Sequence, residues 1–402
     1  MAHILGIRRP VPIGEAQRTT PFEIFFDLVF AFAFIRVATF MAGSPTPLVL
    51  AQGLIFLMLL WWPFTTFAWL ANQVRADVGL VRAGLVVVMA AMFVAGLVIP
   101  FAWRHGGWTV SEALTVAVAY IVIRTVFYLL NWHMAASNPR IPAPGFRYAI
   151  PIAAGWIPLL LGAVLGGATQ TLLWAAAFLI DCLGTTCVSV YSPERFQLRS
   201  ASHLCDRHGL LLIIALGESL IAVGAGAGSA VTRGPVLIAA LLAVANATAL
   251  WWLYFENAAA PAGQALARRT GHDRVRPAVN AYSLAHFPLI AGIIYLALGI
   301  ELVLEHLAHH PSQHPAGAPL DWTSTATLFG GPLVYLIGRG LFLRSTVGHT
   351  PRAQIVAAGA MLALLPVARI LPALGAFGLI TAVLAALVCY ERIRWQPTAG
   401  AR

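Results

Sequence analysis

Residues 20–34 read TPFEIFFDLVFAFAF, and the apolar run they open continues to Ala42. Its length, about 20 residues, suits a helix that crosses roughly 30 Å of hydrocarbon. Yet Glu23 and Asp27 stand inside it as i and i+4, so a helix sets both carboxylates on one face, about 6 Å apart along its axis. With entry near Pro21, Asp27 lies roughly 9 Å deep, too far for a short side chain to regain the head groups. A charge near the bilayer centre costs on the order of 3 kcal/mol on an insertion scale unless it meets a partner or water. Glu23 is shallower, where the positive end of the helix dipole favours an acid, and it reads as an interfacial residue.

The same kind of run recurs along the chain. Of 402 residues, 59% are hydrophobic and 10% charged, and the mean hydropathy is +0.81. That composition excludes an ordinary soluble domain. Apolar stretches at 21–42, 48–71, 80–101, 111–133, 147–167, 170–191, 209–227, 235–256, 279–303, 322–343, 352–371 and 373–391 predict an all-α, polytopic transmembrane helix bundle of about 12 spans. All 25 basic residues are Arg, and the formal charge is +10. Alternating the loops between two faces leaves Arg104 and Arg233 on one side. The other loop arginines, including Arg8, Arg9, Arg140, Arg195 and Arg402, gather on the face that carries both termini. By the positive-inside rule that face is cytoplasmic, so the charge reflects topology and contact with anionic head groups, not nucleic acid.

Polar residues carry a second pattern beneath the hydropathy. WWPFTTFAWLAN (Trp61–Asn72) ends the second span and WWLYFEN (Trp251–Asn257) ends the eighth. YIVIRTVF (Tyr120–Phe127) and YLIGRGLF (Tyr335–Phe342) share Y-x-x-x-R-x-x-F, which matches Arg124 to Arg339. Nearly the same offset sets Glu218, in DRHGLLLIIALGES, on Asp27. Six spans per half is an even number, which predicts two parallel repeats, 21–191 and 209–391. Around them stand an N-terminal segment 1–20, a cytoplasmic linker 192–208 and a tail 392–402. Two carboxylate–arginine pairs are expected, Asp27 with Arg124 and Glu218 with Arg339, either lining a polar path or locking helices together.

Asp181 is a third deep acid, in the sixth span. His286 lies beside Pro288, which cannot donate the helical hydrogen bond and is expected to kink its span. A titratable ring at a kink could shuttle protons. Cys182 and Cys187 form no C-x-x-C motif and read as small packing residues. The loop holding His306, His309, His310 and His314 has irregular, proline-broken spacing, and no metal site is expected there. There is no P-loop, no G-x-G-x-x-G after a strand, no G-x-S-x-G and no H-E-x-x-H, so no catalytic residue and no cofactor is expected.

TPFEIFFDLVFAFAF, the WW end of the second span, DRHGLLLIIALGES, WWLYFE and HFPLIAG together resemble the bacterial low temperature requirement A (LtrA) family, over most of residues 18–391. The resemblance implies a multi-span plasma-membrane protein connected with growth in the cold. It places Glu23, Asp27, Arg207, His208, Gly217, Glu218, Ser219, Trp251, Trp252, Glu256 and His286 at signature positions. Arg36 departs from the pattern, in which Gln is common. FEIFFDLVFAFAF is also similar to the F-S-D signature on the first helix of potassium channels built from six-span repeats, with Phe26 in place of Ser and Leu28 in place of Gly.

The resulting expectation is a secondary transporter or permease of unknown substrate, proton-coupled, in the bacterial plasma membrane. Asp27, Glu218, Arg124, Arg339, Asp181 and His286 are the candidate path residues. The partners are the lipid bilayer and an unidentified small solute or ion. An ion channel, or a non-transport membrane protein needed for growth at low temperature, either an enzyme or one with a packing role in the bilayer, is the alternative.

Overall fold

The computed structural model describes residues 10–103, 111–137, 144–190, 197–309 and 317–394. Arg8, Arg9, Arg104, Arg140, Arg195, His310, His314 and Arg402 lie outside them. The described chain is helical, with isolated β-bridges but no strand. Its helices are α1 (Pro21–Ala42), α2 (Pro47–Ala71), α3 (Gly79–Val98), α4 (Glu112–Ser137), α5 (Gly145–Leu165), α6 (Gly167–Val190), α7 (Ala201–Ala227), α8 (Gly234–Tyr254), α9 (Ala260–Ala267), α10 (Val275–Ala278), α11 (His286–His309), α12 (Trp322–Thr346), α13 (Arg352–Ala368) and α14 (Ala373–Arg394).

Eleven helical stretches are long and apolar enough to cross a membrane. The remaining expected span is α13, which at 17 residues reaches only about 25 Å. It ends short of 371 because Pro372 disfavours helical geometry at Leu371. The chain is a multi-pass membrane protein, and the bilayer is its environment.

Two boundaries differ from the hydropathy reading. α7 starts at Ala201 rather than 209, so 201–208 is helix and not linker. Ser200 caps it, its Oγ accepting from His203 N at 3.2 Å. Further on, α8 runs into α9 and α10 into α11 through π-helical segments, Phe255–Ala259 and Val279–Ala285. Each lies just ahead of a proline, Pro261 or Pro288. Widening the turn relieves the clash of the proline ring with the carbonyl one turn back. The kink expected at Pro288 is therefore a π segment.

The chain divides into two compact units: Met1–Leu211 with Arg269–Ala278, and Leu212–Arg268 with Val279–Arg402. In the first, α1 buries Glu23, Phe26, Asp27, Phe30, Phe34, Val37 and Met41 at helical spacing and exposes Ile24, Phe25 and Leu28. Phe26 packs on Phe30 and Phe67, and Phe30 meets Phe64 edge-on. The two acids thus share the buried face with aromatic rings, while lipid is left to the apolar face.

In the second unit, α11 and α12 touch backbone to backbone along glycines. A Cβ on Gly292 would sit 2.5 Å from Tyr335 N, and one on Gly299 2.6 Å from Leu328 N. Gly331 and Gly338 answer from α12. Between lipid-embedded helices such close approach replaces the hydrophobic drive that water would supply. Gly331→Ala is expected to cost about 1–3 kcal/mol by overpacking. At the adjacent Gly330 a Cβ would meet nothing within 4 Å. Gly330→Ala should therefore gain up to about 1 kcal/mol in helix propensity. Thermal unfolding in detergent reads both, and equal effects would argue against the seam.

Candidate functional site

The carboxylates of α1 meet the start of α7. Arg207 grips Asp27 with both arms of its fork, Nε to Oδ2 at 3.1 Å and Nη2 to Oδ1. One turn away, His203 Nε2 donates to Glu23 Oε1 at 2.8 Å. Four side chains at i and i+4 on two helices thus form a two-rung ladder, one rung an arginine–carboxylate pair and the other a histidine–carboxylate hydrogen bond. All four are buried. The Arg207 guanidinium also lies over the Phe26 and Phe64 rings, at 5.5 and 5.7 Å from their centroids.

Local structure positions this ladder. Thr20 and Glu23 form a capping box, in which Glu23 Oε2 accepts from Thr20 N and from Thr20 Oγ1, both at 2.8 Å. Glu23 therefore completes the N-terminal cap of α1, at the dipole end where an acid was expected, and its side chain is buried within the unit. Asn72, at the end of α2, fixes the entry to α7: its Nδ2 donates to Ser200 O and its Oδ1 accepts from Arg199 N. Asn72 Nδ2 also faces His203 Nδ1 at 3.5 Å, which suits a ring carrying its proton on Nε2. His208 follows on α7, with Trp61 and Phe64 edge-on to its ring.

A second buried pair in the same unit joins α2, α4 and α6. Arg124 Nη2 donates to Asp181 Oδ1 at 2.6 Å, and Tyr120 Oη donates to Asp181 Oδ2 at 2.7 Å. Arg124 Nη1 reaches Thr66 Oγ1 at 3.2 Å. The expected pairing of Asp27 with Arg124 is therefore replaced. Arg207 holds Asp27, because α7 begins early enough to bring it level, and Arg124 turns to Asp181.

In the second unit Arg339 pairs with Glu391 of α14 rather than with Glu218. Its Nη1 and Nη2 meet the two carboxylate oxygens at 2.9 and 2.7 Å. Gln354 Oε1 and the Leu253 carbonyl accept from Nη1 and Nε. Tyr335, one turn before Arg339, donates to Leu250 O at 2.6 Å. His286 is fully buried directly after the second π segment: Nδ1 donates to Ala281 O at 2.9 Å, and Nε2 faces Tyr254 Oη, at the end of α8, at 2.8 Å. Tyr282 stacks on its ring and Phe342 meets it edge-on.

Glu218 is the exception. It lies on the buried face of α7, 5% exposed, and its Oε2 has no hydrogen-bond partner among the described residues. Ser219, beside it, is also buried with its hydroxyl unpartnered among the described residues.

The stretches that build these clusters are those of one sequence family. The family model for bacterial low temperature requirement A protein (LtrA) matches residues 18–389. The chain belongs to the LtrA family. It is also 25% identical, over 327 residues, to an uncharacterized protein of Rhizobium meliloti (strain 1021), covering 79% of this chain and 75% of that one. No solved structure matches.

Of the positions that the sequence resemblance singled out, Glu23, Asp27, Arg207 and His208 come together in the first unit. Gly217, Glu218, Ser219, Trp251, Trp252, Glu256 and His286 belong to the second. There Trp252 lies under the Arg392 guanidinium at 5.3 Å, and Glu256 is exposed. His203, Tyr120, Asn72 and Glu391 are the site residues that sequence reasoning missed. His203 carried a signal, since it stands four residues before Arg207 as Glu23 stands four before Asp27.

Proposed function

We propose that this LtrA protein is a secondary transporter coupled to protons, with Glu218 as the acid that takes up and releases the coupling proton. The observation that carries the reading is a buried carboxyl on a membrane helix that no cation or hydrogen-bond donor among the described residues compensates. Ionised, such a group costs several kcal/mol in hydrocarbon. With a proton it is tolerated, so the charge can follow the hydration of the site as the protein changes state.

The other deep charges take a different part. Asp27, Arg207, Arg124, Asp181, Arg339 and Glu391 are held at both ends by short bonds and act as locks inside their own unit. His286, directly after the second π segment, marks where a long helix can bend. Parallel six-span repeats fit this reading: in each half an arginine of the fourth span bonds an acid of the sixth, Arg124 to Asp181 and Arg339 to Glu391. The arginine distribution supports cytoplasmic termini.

The test is a solute screen with the purified protein in proteoliposomes, with and without an imposed pH gradient. Gradient-driven uptake is expected, abolished by a protonophore, reduced to the level of empty liposomes in Glu218→Gln and partly kept in Glu218→Asp. Uptake unchanged in Glu218→Gln overturns the assignment. If no solute moves, a non-transport packing role replaces it, a role favoured by the number of fully paired buried charges.

A further inference from the structure

The second unit holds both π segments, and a buried side-chain pair joins them. Tyr254 is the last residue of α8, directly before the segment Phe255–Ala259, and His286 directly follows the segment Val279–Ala285. Tyr254 Oη meets His286 Nε2 at 2.8 Å, and His286 Nδ1 donates to Ala281 O, inside the second segment, at 2.9 Å. With its proton on Nδ1 the imidazole accepts at Nε2, so Tyr254 is the donor. Aromatic rings close around this bond. Tyr282, also inside the second segment, stacks on His286 at 4.9 Å, and Phe342 of α12 meets His286, Tyr254 and Tyr282 at 4.8, 5.7 and 5.3 Å.

On one side of both segments the helices are fastened to α12. Tyr335 donates to Leu250 O at 2.6 Å and Arg339 Nε to Leu253 O at 2.8 Å, which holds the end of α8. A Cβ on Gly338 would lie 2.8 Å from Leu289 N and 3.1 Å from Ala285 O, so α12 also lies directly against the start of α11. On the other side of the first segment stands α9, a helix of eight residues. Within that segment, Asn257 Nδ2 donates to Glu391 Oε2 at 2.9 Å. π turns are rare and short, so each needs support from its surroundings. Closing one to α geometry leaves out one residue and turns the side chains beyond it by about 100°.

We propose that the two π segments are one hinge, latched by the Tyr254–His286 hydrogen bond, about which α9 moves against the frame of α8, α11 and α12. With the latch closed, the segments hold their π turns together. With it open, each changes by itself, and α9 turns with the first. The hinge does not depend on Glu218 or on what the protein carries.

The experiment is hydrogen–deuterium exchange of the full chain in lipid nanodiscs, read by mass spectrometry on peptides that cover 255–259 and 279–285. Tyr254→Phe removes one hydroxyl and keeps the ring. Exchange in both segments should rise together, by about three- to tenfold, the effect on a local opening of losing one buried hydrogen bond. His286→Phe keeps a ring between Tyr282 and Phe342 but has neither nitrogen. It should raise both segments as well, and the second more, because Ala281 O also loses its donor. Tyr335→Phe removes an equally buried hydroxyl bonded to α8 one turn earlier, and should leave both segments unchanged.

A rise confined to Phe255–Ala259 in Tyr254→Phe means that the segments open separately, and overturns the hinge. No rise in either segment shows that the bond holds nothing, and overturns the latch. An equal rise in Tyr335→Phe overturns it too, since the loss of any buried hydroxyl would then loosen the unit.

Discussion

Arg207→Leu is expected to lower the stability of the fold by about 3–5 kcal/mol, the cost of stranding one member of a buried ion pair. Asp27 is wholly buried and takes both of its charged bonds from this guanidinium. Glu23, one turn away, would lose the nearby guanidinium and keep only its hydrogen bonds from His203 and Thr20. The guanidinium also fills the space over Phe26 and Phe64, so Leu loses packing as well as charge. Such a loss is a large share of the stability of an ordinary domain, and monodisperse protein should largely disappear from detergent extracts. Arg207→Leu combined with Asp27→Leu strands no charge and should recover most of the loss. Arg207→Lys keeps the charge but not the fork, and should fall between. A double variant as unstable as Arg207→Leu would show that packing, and not the pair, holds α1 to α7.

Arg124→Leu is expected to cost a comparable amount, about 3–5 kcal/mol. The pair with Asp181 is as dry as the first, with side-chain exposures of 0% and 2%. It differs in that Tyr120 continues to donate to Asp181, which places Arg124→Leu nearer the lower end. Removing Asp181 as well, as Arg124→Leu with Asp181→Leu, should again restore most of the stability. The two clusters share no residue, so Arg124→Leu and Arg207→Leu should add within a few tenths of a kcal/mol. Denaturation of the two double variants and the four single ones, Asp27→Leu and Asp181→Leu included, gives both coupling energies. A coupling near zero at either site would mean that the pair there is bystander to the packing.

Hydropathy made the helical architecture legible, because the need to satisfy every backbone group in lipid leaves one solution per apolar run. Prolines made the distortions legible: Pro288 announced a break, though whether the chain kinks or opens into a π segment depends on neighbours such as Ala281 and Tyr254. Partner choice was not legible. Asp27 was matched to Arg124 by pairing one helix of each half with another, but reach along the membrane normal decides who meets whom. The capped start of α7 at Ala201 lifts Arg207 and His203 level with α1. Hydropathy alone put both in a loop. Glu391 was missed for a related reason: it lies at the end of an apolar run, where acids read as surface residues, yet α14 carries it in under Arg339. Glu218 did stand out as an acid at mid-span. Its lack of a cation could be seen only once Arg339 was found bonded elsewhere.

Isosteric amides at two acids test the whole account in one measurement. Asp27→Asn removes an anion from beneath Arg207, whereas Glu218→Gln, on the reading proposed above, replaces a carboxyl that carries its own proton. Thermal unfolding of the two variants beside the wild type, at neutral pH in the same detergent, should show Asp27→Asn destabilised by about 3–5 kcal/mol and Glu218→Gln within about 0.5 kcal/mol of wild type or above it. If Glu218→Gln loses as much as Asp27→Asn, Glu218 is an ionised, compensated residue like the others, and the division between locks and a coupling acid is wrong.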